Sequence, residues 1–265
     1  MDTQEFQKRY GPWAIVTGAS SGIGREIAAQ LAERGLNLVL VARRREVLEE
    51  ISADLTEKHK ISTRVLDADL GDAAAAGSID SGTEDLDVGL IVAAAGFGQL
   101  GAFLDSSLDR ELAMLDLNCR AVLIQSHQFA KRFAKRGRGG IVLFGSIIGF
   151  NGAPNAAHYA ATKGWVQMLA EALNVELKPK GVDVLAVAPG PTNTEFASEA
   201  GMKSGMALKP ADVAREALNK LGHRQTSKPG LMTKVILNTT SFLPRWARVS
   251  LMGKVMGSQV DKGKH

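Results

Sequence analysis

From Leu36 to Ala42 the chain reads Leu-Asn-Leu-Val-Leu-Val-Ala, a short run with apolar side chains for both faces of a strand. Such a strand is stable only where helices cover it on both sides, in the middle of a parallel sheet. Parallel neighbours need long crossovers, so the surrounding chain must alternate strands with helices. It does so throughout. Strands are expected at Trp13–Val16, Thr63–Asp67, Leu90–Ala94, Ile141–Phe144 and Val182–Val187. Helices are expected from the glycine-rich turn to Arg34, and over Arg44–Lys58, Leu108–Lys135 and His158–Leu177. The segment Gly71–Gly82, rich in Ala, Gly and Ser, reads as a weak helix with loops. The fold class that follows is α/β, an open, doubly wound parallel sheet of Rossmann type.

The chain has 265 residues, 45% hydrophobic and 23% charged. This fits one dinucleotide-binding domain over 1–265 whose last part, 229–265, is an amphipathic tail. No stretch reaches the roughly 18 apolar residues of a membrane span, and the first ten residues lack an apolar signal core. Cys119 is the only cysteine, so no intrachain disulfide can form. A cytoplasmic location is expected. The net charge of +4 comes without arginine tracts or zinc-finger spacing, so no nucleic acid is expected. The five His show no ligand spacing, and no metal is expected.

Two clusters carry chemistry. The first is Thr17-Gly-Ala-Ser-Ser-Gly-Ile-Gly24, between the first strand and its helix. Glycines there let a pyrophosphate approach backbone N–H groups at the positive end of the helix. The second strand ends in Arg43-Arg44-Arg45, with no acid to hold a ribose 2′-hydroxyl. An arginine at that end suits a 2′-phosphate, which favours NADP(H) over NAD(H), with Arg43 first and Arg44 in reserve. The second cluster is Tyr159 and Lys163, one helical turn apart, with Ser146 thirteen residues upstream of the Tyr at a strand end. The Lys charge is expected to favour the phenolate and draw the Tyr below its usual value of about 10.

In this order along one α/β pattern, the motifs over residues 11–221 resemble the short-chain dehydrogenase/reductase family. The resemblance implies a nicotinamide cofactor and transfer of hydride between it and a carbonyl or alcohol. It implies cofactor contacts from Gly18, Ser20, Ser21, Gly22, Ile23 and Gly24, and adenine contacts from Asp69 and Leu70. Ala95 and Gly96 would lie beside the ribose, with Pro189, Gly190, Thr192 and Thr194 near the nicotinamide. Tyr159 would exchange the proton and Ser146 would hold the substrate oxygen. Lys163 would contact the ribose as well as the Tyr, and Asn118 would place a relay water. One departure stands out. Where the family has Asn-Asn-Ala-Gly after its fourth strand, this chain has Ala93-Ala94-Ala95-Gly96. The loss removes hydrogen bonds worth about 0.5–1.5 kcal/mol each. It suggests an alternative, a low-activity dinucleotide-binding sensor or scaffold.

Neighbouring residues read as structural. His158 is a helix-start or surface residue off the Tyr/Lys face, Cys119 a small core residue, and Asp67 a surface acid. Specificity is assigned to the region from Thr194 to Lys209, rich in small residues and Met, and to the tail. An apolar ketone, aldehyde or acyl compound suits them. In the tail, Lys234, Arg245, Arg248, Lys254, Lys262 and Lys264 face only Asp261. It is expected to cross the substrate cleft or a subunit interface, with contact to a membrane surface as the other option. The resemblance further implies a homodimer or homotetramer through the two long helices.

Overall fold

The structure, a computed structural model, describes residues 1–194, 207–240 and 242–259. Seven strands form one sheet: β1 (Trp13–Thr17), β2 (Asn37–Ala42), β3 (Thr63–Asp67), β4 (Val88–Ala93), β5 (Gly139–Phe144), β6 (Val182–Val187) and β7 (Thr226–Ser227). They lie in the order β3-β2-β1-β4-β5-β6-β7, and all pairs are parallel. Strand order reverses between β1 and β4, so the carboxyl ends of Thr17 and Ala93 face the crevice where such sheets bind ligands.

Side chains alternate into two cores, as the doubly apolar strands require. Val16, Leu38, Leu40, Leu90, Val92, Val142 and Leu185 meet α2 (Gly22–Glu33), α3 (Arg45–His59) and α8 (Pro210–Lys220). Ile15, Val39, Val41, Ile91, Ile141 and Val184 meet α4 (Ala73–Ser81), α6 (Ala121–Arg136) and α7 (Ala157–Leu177). Two further helices, α9 (Leu231–Thr240) and α10 (Arg245–Gln259), follow β7. Among the described residues no helix is long and apolar enough to cross a membrane.

The expected single helix over Leu108–Lys135 is interrupted. It consists of α5 (Leu108–Leu115), a π-helical turn over Asp116–Arg120, and α6. Ala121 N–H bonds to Asp116 carbonyl, five residues back. Tertiary hydrogen bonds to Asn118 hold the extra residue in the turn, and no periodicity in the sequence announces them.

The sequence reading also passes over α1 (Thr3–Tyr10). This helix closes the far end of the sheet, where the Tyr10 ring lies against Gly140 and packs edge-on to Phe6 at 4.8 Å between centroids. Its fully buried hydroxyl donates to Asp183 Oδ2 at 2.7 Å, and Arg9 bonds the same carboxylate. Burial first, then the adjacent carboxylate, pushes the Tyr10 pKa far up. Asp183→Ala would leave that hydroxyl without its acceptor. It is expected to cost about 1–3 kcal/mol, read as a lower urea midpoint with unchanged slope.

Candidate active site

The site gathers at the carboxyl ends of the central strands. Thr17 closes β1, and its Oγ1 accepts the Ala95 N–H at 3.2 Å, tying the chain after β4 to the strand beside it. Ala93 and Ala94 pack into the two opposite cores. Packing and the Thr17 bond thus secure the strand end that the family's Asn pair would secure with side-chain amides.

Gly18 has φ +67°, and a Cβ there would stand 2.9 Å from Ala95 N. The turn therefore needs both the left-handed backbone and the close approach that glycine permits. At the start of α2 the N-cap residue Ser21 makes no side-chain hydrogen bond to the helix, so its first N–H groups are presented to the crevice. Thr194 reaches the same turn from the far end of the motif set, its Cγ2 lying 3.1 Å from where a Gly22 Cβ would be. Arg44 Nη2 donates to Ser20 Oγ at 3.2 Å. Arg45 is engaged by Glu49 and Asp67, and Arg43 is exposed. Of the arginine trio, the reserve candidate Arg44 is the one bonded to the turn. Asp69 Oδ1 accepts Gly71 N–H at 3.0 Å, whereas Leu70 is buried in the core.

Ser146 follows β5, and the next residue, Ile147, donates its N–H to Pro189 carbonyl at 3.0 Å. That bond joins the serine loop to the Pro189-Gly190 segment. Thr192 is buried, with its hydroxyl on Gly190 carbonyl at 3.0 Å. Thr192 also pairs with Leu208, so the two ends of the region assigned to specificity are clamped together. Residues 195–206 of that region lie outside the described residues.

Tyr159 and Lys163 stand on one face of α7, both buried. Ser146 lies near enough to the Tyr159 hydroxyl to oppose the rise of its pKa, so the expected serine and tyrosine come together. Lys163 Nζ lies 6.0 Å from the Tyr159 ring centroid and donates to Phe144 carbonyl at 2.9 Å. The expected fall in the Tyr159 pKa is not found. Burial pushes it up, and the nearby Ser146 hydroxyl opposes this only in part. The physical reason extends to the lysine. Desolvation lowers Lys163 from its ordinary 10.5 to about 8, so the charge meant to favour the phenolate is itself disfavoured.

Asn118 is placed by the π-turn. Its Nδ2 donates to Phe97 carbonyl at 2.8 Å and to Thr162 Oγ1 at 3.1 Å, while its Oδ1 accepts Phe97 N–H at 3.1 Å. A Cβ on Gly96 would stand 2.9 Å from Asn118 Oδ1 and 3.4 Å from Lys163 Nζ, so the asparagine and lysine flank the same glycine. Cys119 is a core thiol that burial pushes up to about 11.

Other partners were not singled out from the sequence. Thr162, inside Tyr-Ala-Ala-Thr-Lys, bonds Tyr159 carbonyl and Asn118, and its position between two candidates was the only available signal. Glu111 Oε2 lies 2.6 Å from His158 Nδ1. His158 therefore starts α7 as expected, but its ring joins α5 rather than open solvent. A small cavity beside Tyr159 is lined by Gln99, Glu111, Met114, Asn155 and His158. The apolar wall around Tyr159 comprises Met114, Ile148, Ala153, Phe97 and Leu100, with Met252 and Met256 from α10.

Comparison with known proteins gives this geometry a context. The sequence model described as short chain dehydrogenase matches residues 12–204. The chain belongs to the short-chain dehydrogenase/reductase family. It is accordingly an oxidoreductase of CH–OH and C=O groups. A 7beta-hydroxysteroid dehydrogenase of Clostridium sardiniense is 30% identical over 254 residues, covering 94% of this chain and 97% of the relative. A short-chain dehydrogenase from Sphingobium yanoikuyae, solved in complex with NADPH, superposes with a TM-score of 0.81 at 31% identity. That alignment covers 96% of this chain and 98% of the other. The bulky-bulky ketone specific alcohol dehydrogenase from Comamonas testosteroni gives 0.77 at 32% identity, with 97% of each chain covered.

The Lys163 environment predicts a pH signature within this family fold. Between about 8 and 10.5 an unfolded lysine holds a proton that folded Lys163 has lost, so stability rises with pH across that interval. Urea midpoints of wild type are expected to rise relative to Lys163→Met from pH 8 to pH 10. A difference that stays flat would refute the buried, depressed lysine.

Proposed function

We propose that the chain is an NADP(H)-dependent reductase and dehydrogenase of bulky apolar ketones and their alcohols, a class spanning hydroxysteroids and acyl compounds. The observation that carries this reading is the placing of Ser146 beside the buried Tyr159, with Lys163 on the next turn, set into a wall of Phe97, Leu100, Ile148, Met252 and Met256. The names of the relatives agree in kind, since one acts on a hydroxysteroid and another is specific for bulky ketones.

A bound nicotinamide supplies or accepts the hydride. Tyr159 gives its proton to the carbonyl oxygen in reduction and takes it back in oxidation. Ser146 holds the same oxygen from its place beside the Tyr159 hydroxyl. Lys163 and Asn118 lie behind them on either side of Gly96, where a proton lost by Tyr159 is replaced. In this reading the uncapped start of α2, with Gly18, Ser20, Ser21, Gly22, Ile23 and Gly24, receives the cofactor phosphates. Asp69 and Leu70 bound the adenine, while Ala95 and Gly96 admit the ribose. Pro189, Gly190, Thr192 and Thr194 border the nicotinamide. Arg44, joined to Ser20, reads the 2′-phosphate together with Arg43.

The same reading includes a cytoplasmic enzyme and a homodimer or homotetramer. Exposed Leu108, Leu112, Leu115 and Leu123 on α5 and α6, with Met168 and Val175 on α7, supply an apolar face for such an assembly.

NADPH oxidation with a panel of bulky ketones tests the chemistry. Tyr159→Phe is expected to lower kcat at least about 100-fold while the urea midpoint shows the fold intact. Activity equal to wild type would remove Tyr159 from the reaction. For the cofactor, Arg44→Ala is expected to raise KM for NADPH and leave KM for NADH unchanged, with a smaller effect from Arg43→Ala. Equal changes for both cofactors would refute the phosphate role.

A further inference from the structure

We propose that α9, α10 and the turn between them form a docking surface for an anionic lipid bilayer. Helix α9 buries only Thr233 and Leu237 and turns Leu231, Met232, Val235 and Ile236 outward. The turn presents Phe242 at 90% exposure, Leu243 beside it, and then Trp246 at 76% exposure. Further along α10, Leu251 and Val255 are also exposed. So many large apolar side chains on neighbouring elements mark an interaction face rather than scattered surface residues.

The unit is anchored to the domain. Val249 lies against Gly152, Gly253 against Pro154, and Met252 with Met256 against the Tyr159 wall. Its exposed face is therefore held in a fixed orientation to the site.

Charge selects the occupant. Between Glu216 and Asp261 the sequence contains no acid, while it contains Lys228, Lys234, Arg245, Arg248 and Lys254. Lys234 is paired with Glu216 and Lys228 lies over the Phe150 ring. Arg245 and Lys254 are exposed on α10 itself. A second copy of this surface would bring cation against cation. An anionic bilayer answers both properties at once: acyl chains receive Phe242 and Trp246, and headgroup charge meets Arg245 and Lys254. An exposed Trp beside Phe and Arg suits the boundary between headgroups and acyl chains.

The test uses full-length protein and sedimentation with vesicles of phosphatidylcholine alone or mixed with phosphatidylglycerol. Wild type is expected to sediment with the mixed vesicles and to be released in large part by salt near 1 M. Phe242→Ser combined with Trp246→Ser is expected to weaken binding at least about tenfold, with unchanged turnover of a soluble ketone. Arg245→Glu combined with Lys254→Glu is expected to abolish the preference for the anionic lipid. These second substitutions lie on the surface and guard against misfolding of the first pair. Wild type that ignores both vesicle types, or binds both equally at every salt concentration, would overturn the proposal. So would a Phe242/Trp246 variant that changes the oligomeric mass in the absence of lipid, since that would assign the face to a second copy.

Discussion

Burial of the sheet on both faces governs everything else in this molecule. A strand such as Leu38–Ala42 can present side chains to two cores only because helices lie above and below it. Once both faces are closed, the carboxyl edge is the place where backbone and polar side chains can meet a ligand. Thr17, Ala95, Ile147 and Pro189 all stand at or just beyond that edge, and hydrogen bonds join them in sequence-distant pairs. The candidate site groups are thus fixed by the same burial that stabilises the fold.

The burial has an electrostatic cost at the site. Tyr159 and Lys163 share an apolar setting that disfavours the charged form of each, so the tyrosine is shifted upward and the lysine downward. Spacing on a helix suggests attraction between the two, because sequence shows proximity but not solvent exposure. The neighbouring Ser146 hydroxyl is the group that works in favour of the phenolate here. Lys163 directs its ammonium to Phe144 carbonyl, holding the end of β5 and the start of the serine loop in place.

Much of this was legible in the chain itself. The six longer strands, the turn from Gly18 to Gly24 and the group Ser146, Tyr159 and Lys163 follow from periodicity and motif spacing, and Asn118 follows from the family resemblance. What escaped depends on contacts between distant segments. The helix Thr3–Tyr10 has a polar sequence apart from Phe6 and Tyr10, and it earns its place through Asp183, far along the chain. The π-turn is invisible because its cause, the Phe97 backbone, lies twenty-one residues upstream of Asn118. Arg43 and Arg44 could not be ranked without knowing which one reaches Ser20. The tail gave its charge in sequence but not its inner face, where Met252 and Met256 join the wall around Tyr159.

The turn at Asp116–Arg120 also limits how this chain can change length. It carries one residue more than a regular helical turn where α5 continues into α6. Loss of a single residue there would return the segment to an ordinary helix and rotate one half against the other by about 100°. Asn118 would leave Phe97, and Glu111 would leave His158, in the same event. A surface loop absorbs a deletion locally, but this stretch would transmit it to both walls of the site. Its length is as much a part of the site's architecture as its residues.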